Sequence, residues 1–204
     1  MEIIRFAELK AQPWRNGGGV TREVASHTAS TSSAESPGPN GGWDWRVSIA
    51  DVSKAGDFSA FPGMDRVLTV VEGELLLLSV DGAEHPLEKY RPYRFSGDAA
   101  TSGALPTGDI RDLNVITRTG AFKGYTSIVE LSKKRAHPVF EGQLGILLQG
   151  QAAVTPGAAA AGPAAATEPT TLARYDAVVG SDTDTPEILG RGFLAVVSID
   201  RVED

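Results

Sequence analysis

The run Trp14-Arg15-Asn16-Gly17-Gly18-Gly19-Val20-Thr21-Arg22-Glu23 sets three successive glycines among an indole, two guanidinium groups, an amide, a hydroxyl and a carboxylate. Glycine lets backbone approach a partner closely and take positive φ without steric cost. Gly17, Gly18 and Gly19 can therefore offer N–H donors while Trp14, Arg15, Asn16 and Thr21 supply side-chain groups around a small ligand. The same residues also suit a wide turn between two strands. A phosphate-cradling loop fits less well, because such loops lead into a helix N-terminus, whereas Val20–Val24 reads as strand.

Three further polar sets stand downstream. In Trp45-Arg46-Val47-Ser48-Ile49-Ala50-Asp51-Val52, alternation puts Trp45, Val47 and Ile49 on one strand face and Arg46, Ser48 and Ala50 on the other. In an open sheet the polar face meets solvent; in a barrel it lines an interior, where a buried arginine must find an anionic partner. The stretch Asp57-Phe58-Ser59-Ala60-Phe61-Pro62-Gly63-Met64-Asp65-Arg66 is a loop with two aromatic rings, read as caps on a barrel end, and an Asp-Arg pair that opens a strand. In Asp112-Leu113-Asn114-Val115 a carboxylate and an amide share one face, either to fix the polar end of a ligand or to bond a neighbouring loop.

Other chemistries fit poorly. The formal net charge is -7 and the one cationic cluster is Lys133-Lys134-Arg135, so the basic footprint that nucleic acid requires is missing. Arginine's planar fork inside the polar motifs points to a small oxyanion instead. There is no cysteine, and His27, His85 and His137 are far apart with no His-x-His spacing, so no metal site and no cofactor are expected. A Gly-x-Ser-x-Gly elbow is also missing. The start Met1–Phe6 has neither the basic residues nor the apolar run of a signal peptide, and apolar runs such as Leu75–Leu78 are far too short to cross a bilayer. A cytoplasmic chain with no membrane partner is the expectation.

The elements that must position these groups read as β throughout. With 41% hydrophobic content, 204 residues can bury a substantial core as one domain or two small fused ones. Short period-two runs punctuated by Gly, Pro and Asp predict strands at Ile3–Phe6, Thr21–Ala25, Trp45–Val52, Arg66–Val71, Glu74–Val80, Leu113–Thr117, Tyr125–Leu131, Leu144–Leu148, Ala152–Val154, Tyr175–Val179 and Phe193–Asp200. Turns are expected at Glu72-Gly73, Asp81-Gly82 and Gln149-Gly150, and one short helix over Phe6–Lys10. His27–Gly42, rich in Ser, Thr, Pro and Gly, and the Ala/Pro/Gly-rich Thr155–Thr171 read as surface insertions.

With the second insertion set aside, an internal repeat emerges. Leu68–Leu77 resembles Gly145–Val154, and Leu87-Glu88-Lys89-Tyr90 parallels Leu172-Ala173-Arg174-Tyr175. Each half reads as a strand, a glycine turn and a returning strand, closing on Leu-x-basic-Tyr. Two related β-barrels in tandem, with hairpins around Gly73 and Gly150, are the architecture this suggests.

The four polar motifs, taken in order from the first strand to about Leu131, resemble the HutD/Ves family. That resemblance implies an all-β bicupin: an N-terminal cupin-type barrel over residues 1–131 that carries the motifs, and a C-terminal one over 132–204, with strands exchanged between them. Cupins generally hold metal through histidines, and none stands at the corresponding strands here, so a metal-free member is implied. The resemblance further implies binding of a small anionic metabolite, such as N-formylglutamate or urocanate, that tunes histidine utilisation; a homodimer is left open. In this reading Arg46 pairs the ligand carboxylate, Arg15 and Arg66 assist, and Asn16, Asp112 and Asn114 orient polar groups. Trp14, Thr21 and Ser48 complete the wall, and Gly17–Gly19 supply backbone donors. The alternatives are a metal-independent cupin isomerase or hydrolase with Glu23 or Asp112 as general base, and an interaction module whose polar motifs only brace the barrels.

Overall fold

The computed structural model describes residues 1–28, 42–157 and 168–203. The chain divides into two compact units: a first formed by Lys10–Gly124 with Asp200–Asp204, and a second formed by Met1–Leu9 with Tyr125–Ile199. Its strands, in chain order, are β1 (Glu2–Ile4), β2 (Ala11–Pro13), β3 (Gly19–His27), β4 (Trp45–Val52), β5 (Gly56–Asp57), β6 (Met64–Glu72), β7 (Leu75–Val80), β8 (Ala83–Glu88) and β9 (Tyr93–Ser96). They continue with β10 (Thr101–Ala104), β11 (Ile110–Arg118), β12 (Phe122–Leu131), β13 (His137–Pro138), β14 (Gln143–Thr155), β15 (Thr170–Leu172), β16 (Ala177–Val179) and β17 (Glu187–Arg201). The helix expected over Phe6–Lys10 is a single 3₁₀ turn, Phe6–Glu8, because β2 claims the chain from Ala11. No helix among the described residues is long and apolar enough to cross a membrane.

The first unit sets a six-stranded antiparallel sheet, β2-β3-β4-β11-β6-β9, with a four-stranded one, β5-β10-β7-β8. Ala50, Val52, Leu68, Val70 and Ile110 of the larger sheet share a core with Leu76, Leu78 and Leu87 of the smaller. Each fully buried leucine there contributes about 1.5–3 kcal/mol. The Asp81-Gly82 turn forms as expected, a two-residue hairpin between β7 and β8 with both residues at positive φ. The second unit is built on a seven-stranded sheet, β1-β16-β14-β17-β12, to which β13 adds on β17 and β15 on β14. Its core gathers Leu147, Val154, Leu172, Val178, Ile188, Leu194 and Val196. None of the three sheets closes on itself.

Two expected hairpins do not exist. At Gly73 the chain leaves the six-stranded sheet and enters the four-stranded one, so β6 and β7 never pair. Gly73, at φ +83, is required because a Cβ would lie 2.7 Å from the Asp109 carbonyl. Gly150 lies inside β14, which runs on past it along β17 with a register shift between Leu147 and Gln149. The repeat nevertheless has a physical basis. Tyr90 and Tyr175 both take positive φ (66° and 69°). Tyr90 N–H donates to the Val70 carbonyl at 2.8 Å and Tyr175 N–H to the Leu147 carbonyl at 2.6 Å, so Val70 and Leu147 are equivalent positions. The basic residue before each tyrosine stacks over its ring, Lys89 at 4.9 Å and Arg174 at 4.7 Å.

The two segments read as insertions fall largely outside the described residues, which stop at 28 and resume at 42, and stop at 157 and resume at 168. Their margins are strands: His27 ends β3, Thr155 ends β14 and Thr170–Leu172 forms β15.

Candidate functional site

The central strands of the six-stranded sheet arrange the polar motifs in three rows. Register sets Ile116 between Arg46 and Arg66, Asn114 between Ser48 and Leu68, and Asp112 between Ala50 and Val70. Residues two apart share a face, so the rows pass from guanidinium groups at one end to apolar core at the other. Asp112 is the one charged group in the apolar row.

Over the polar rows lies a cavity of about 500 Å³, a size typical of small-molecule sites. Its wall takes Arg46, Ser48 and Ala50 from β4, Arg66 from β6, Asn114 and Ile116 from β11, and Thr21 from β3. The segment Gln12–Asn16 and the loop residues Asp57, Phe58, Ser59 and Phe61 complete it. Of the residues expected at a ligand site, Trp14, Arg15, Asn16, Thr21, Arg46, Ser48, Arg66 and Asn114 line this cavity; Gly17, Gly18, Gly19, Glu23 and Asp112 do not.

The glycines serve the loop itself. Gly17 N–H donates to the Trp14 carbonyl (3.0 Å) and Gly18 N–H to Asn16 Oδ1 (2.9 Å), so these two donors are engaged within the loop rather than offered to a ligand. The Gly18 carbonyl accepts from the Ser53 amide at 2.9 Å. Gly19 allows a close approach: a Cβ there would lie 2.5 Å from the Asp51 carbonyl and 3.0 Å from the Trp14 indole. Trp14 is fixed from two further directions, its Nε1–H donating to Thr21 Oγ1 at 2.7 Å and its ring meeting Phe58 edge-on at 5.8 Å.

Arg66 is only 3% exposed and lies between the rings of Phe61 (5.1 Å) and Phe95 (4.9 Å). Nη1 donates to the Ser59 carbonyl at 3.2 Å and Nη2 to Asn114 Oδ1 at 2.9 Å. Its Nε is buried without a partner among the described residues. Both groups it bonds among the described residues are neutral. Burial lowers its pKa to about 10, with Asp112 opposing the shift, so at neutral pH it remains a cation. Asn114 in turn donates from Nδ2 to Asp112 Oδ1 at 2.6 Å. Asp112 is fully buried and its Oδ2 has no hydrogen-bond partner among the described residues. Burial pushes its carboxyl up to about 7, while Arg66 and Asn114 pull it down and Asp51 adds to the rise.

Arg46 finds its anion within the chain: its Nε stands 3.0 Å from the Glu23 carboxylate, with the side chain 17% exposed. The guanidinium also lies 6.0 Å from the Trp43 ring. Glu23 thus braces Arg46 and is not part of the wall.

Phe58 and Phe61, read from sequence as barrel caps, are wall residues. Gln12, Asp57, Ser59 and Ile116 were not anticipated. Continuing the period two beyond Asn114 would have found Ile116; the loop positions carry no such signal. The donors facing the cavity are guanidinium, amide, hydroxyl and indole groups. They do not fit the histidine-ligated metal that cupin folds imply, and no three His, Cys, Asp or Glu side chains gather to hold an ion among the described residues. What the wall can do is hold an oxyanion against three arginines with its carbon body on Trp14, Phe58 and Phe61.

A family model described as HutD matches residues 6–196. Protein Ves of Citrobacter koseri is 33% identical over 132 residues, 64% of each chain. An uncharacterized 21.2 kDa protein in the hutC 3' region of Pseudomonas putida is 37% identical over 117 residues, 57% of each. The chain thus spans less than two thirds of the length of these curated relatives. Among solved structures, HutD from Pseudomonas fluorescens SBW25 aligns over 99% of both chains at 26% identity with a TM-score of 0.72. A cupin 2 conserved barrel domain protein from Leptotrichia buccalis, at 8% identity, covers 98% of this chain and 96% of its own with a TM-score of 0.54, a likeness of fold.

Proposed function

This chain belongs to the HutD family, and on that footing we propose that it binds a small carboxylate metabolite in the cavity of the first unit and thereby tunes histidine utilisation. The observation that carries the reading is Arg66: a cation held 3% exposed at the cavity wall, clamped between two rings and bonded only to neutral groups. The opposite charge that acts on it, Asp112, does not bond it directly and has its carboxyl pushed up to about 7. A buried charge that is incompletely compensated is costly, and a ligand carboxylate would complete the compensation. Arg46 and Arg15 add positive charge beside it, and the aromatic wall suits the carbon body of an acid. N-formylglutamate and urocanate are the two acids to test first; the Pseudomonas putida relative's place beside hutC supports the pathway.

The protein in this reading is a cytoplasmic, cofactor-free binding protein. Its fold is read further as two cupin-type barrels in tandem, over 1–131 and 132–204. The grouping of Met1–Leu9 with the second unit and of Asp200–Asp204 with the first supports an exchange of strands between them. Thermal shift and titration calorimetry with the two acids test the function. A ligand at about 100 times its dissociation constant adds about 2.7 kcal/mol of stability; no shift and no heat with either acid would overturn the reading. Consumption of either acid on incubation would instead favour the metal-independent enzyme.

A further inference from the structure

Asp112 stands outside the cavity wall but one hydrogen bond behind it. It is a fully buried carboxyl whose Oδ1 accepts from Asn114 Nδ2 at 2.6 Å, while Asn114 Oδ1 accepts from Arg66 Nη2 at 2.9 Å. An amide has one donor end and one acceptor end. As long as an acceptor sits at position 112, the Asn114 oxygen is the end turned to Arg66.

The second unit shows that the fold does not require this arrangement. Val70 and Leu147 are equivalent, each accepting the amide of the positive-φ tyrosine. Across the ladder Val70 pairs with Asp112, whereas Leu147 pairs with Leu194; Leu68 pairs with Asn114, whereas Gly145 pairs with Val196. Leu194 and Val196 are core residues. The same place in the same strand layout is thus filled by apolar core side chains in the second unit, and by a costly buried carboxyl and amide in the first, behind the cavity wall.

We propose that Asp112 is the positioning residue of the cavity, turning Asn114 so that Arg66 is held at the wall, and that it takes up one proton from solvent when an anion binds beside Arg66. The proposal rests on the carboxylate-binding reading above. The charged groups acting on Asp112 are Arg66 on β6 and Asp51 on β4, and Asp51 is itself held by Arg22 at 3.0 Å and Arg111 at 2.5 Å. The other side chains of its row, Ala50 and Val70, are apolar. With Asp112 charged, the buried trio Asp112–Asn114–Arg66 is neutral overall; with Asp112 protonated it carries +1. An arriving carboxylate repels the charged form and favours the protonated one. With the carboxyl at about 7 in the free protein, affinity for an anion should fall about tenfold between pH 6 and pH 8.

The probe is N-formylglutamate, whose ordinary carboxylates do not titrate in that window. Calorimetric titrations at pH 6 and pH 8, each in two buffers of different ionisation enthalpy, count the protons taken up. Wild type should bind about tenfold more weakly at pH 8 and take up close to one proton per ligand there. Asp112→Asn keeps an acceptor for Asn114 but no charge, so its affinity should not change between the two pH values. Asp112→Leu, shaped like Leu194, removes the acceptor as well and should bind weakly at both. Glu84→Gln, on exposed β8, should keep the wild-type pH dependence. A pH-independent wild type, or an Asp112→Asn protein with the wild-type slope, would overturn the proposal. If neither N-formylglutamate nor urocanate binds at either pH, the function proposed above fails. The ligand-free protein then still decides Asp112, by whether difference infrared spectra show a protonated carboxyl at pH 6 that titrates near 7 and vanishes in Asp112→Asn; its absence overturns the proposal.

Discussion

Asp112 and Arg66 are opposite charges in the same buried sheet face that do not bond each other directly: Asn114 stands between them, donating to one and accepting from the other. Burial shifts each toward its neutral form, the carboxyl to about 7 and the guanidinium to about 10. At neutral pH Arg66 is therefore still a cation while Asp112 is poised between its charged and neutral forms.

The stability of the protein should carry that signature. Asp112 titrates near 3.8 when unfolded and near 7 when folded. Between those values the folded state binds more protons at Asp112, so this group's contribution to stability is fully present below pH 4, falls as pH rises to 7 and is lost above. At 1.36 kcal/mol per pH unit the loss reaches about 4 kcal/mol. Asp112→Asn removes it, and urea unfolding of both proteins at pH 5 and pH 8 measures the difference. A wild-type-to-variant gap that is the same at both pH values would refute the assignment.

Arg46 should matter to ligand affinity in spite of its internal partner. Arg46→Ala is expected to weaken N-formylglutamate binding by roughly 2–5 kcal/mol. Arg46→Lys should restore only part, since an ammonium cannot reproduce the planar fork. Lys54→Ala, an exposed charge just past the same strand, should change nothing. Should folded Arg46→Ala bind as wild type does and merely melt lower, Arg46 is a brace for Glu23 and no part of the site.

The glycine run should be unequal in its tolerance. Gly19→Ala forces a methyl to within 2.5 Å of the Asp51 carbonyl and against Trp14, which should cost roughly 1–3 kcal/mol and disturb the cavity wall. Gly17→Ala meets nothing within 4 Å and carries only the strain of φ +66, about 1–2 kcal/mol. Comparing the two by thermal melts and ligand titration checks this: equal effects on affinity would show that backbone strain, not the Trp14 contact, governs the loop.

In the second unit, Asp176 ties the N-terminal Arg5-Phe6 segment to its own turn. Its carboxylate accepts from Arg5 Nη1 at 2.6 Å, from the Phe6 amide at 3.0 Å and from the Ala173 amide at 2.9 Å. Asp176→Ala leaves two amides unmatched and removes the carboxylate partner of Arg5, which keeps the Thr171 carbonyl, and should destabilise by about 3 kcal/mol. Loss of stability without loss of ligand affinity is the expected result, and a selective loss of affinity would contradict it.

The polar strands were legible because period two is a property of residue order alone. Trp45–Val52 has the bounds its alternation predicts, and the Arg46, Ser48, Ala50 face is the one that meets the cavity. Depth along the strand is not encoded that way, so Asp112 and Asn114 share a face yet only Asn114 reaches the wall. A glycine after an apolar strand reads as a turn whether the chain folds back, as at Gly82, or crosses to another sheet, as at Gly73. What decides is which core the next strand's leucines fill, a long-range matter. Strands such as Gly56–Asp57 and Thr101–Ala104 are too short to show any period.

The pairing of β1 with β16, Glu2 opposite Val179 and Ile4 opposite Ala177, bears on how the protein is made. On the ribosome β1 emerges before Lys10–Gly124 and its ladder partner β16 only after that whole stretch has been synthesised. The first unit's two sheets can assemble meanwhile, since domains fold in the order they appear. β1 must wait through that interval as a bare edge. The isoleucines Ile3 and Ile4 are therefore open to a chaperone or to misassembly during that interval, although in the finished fold they are half-buried.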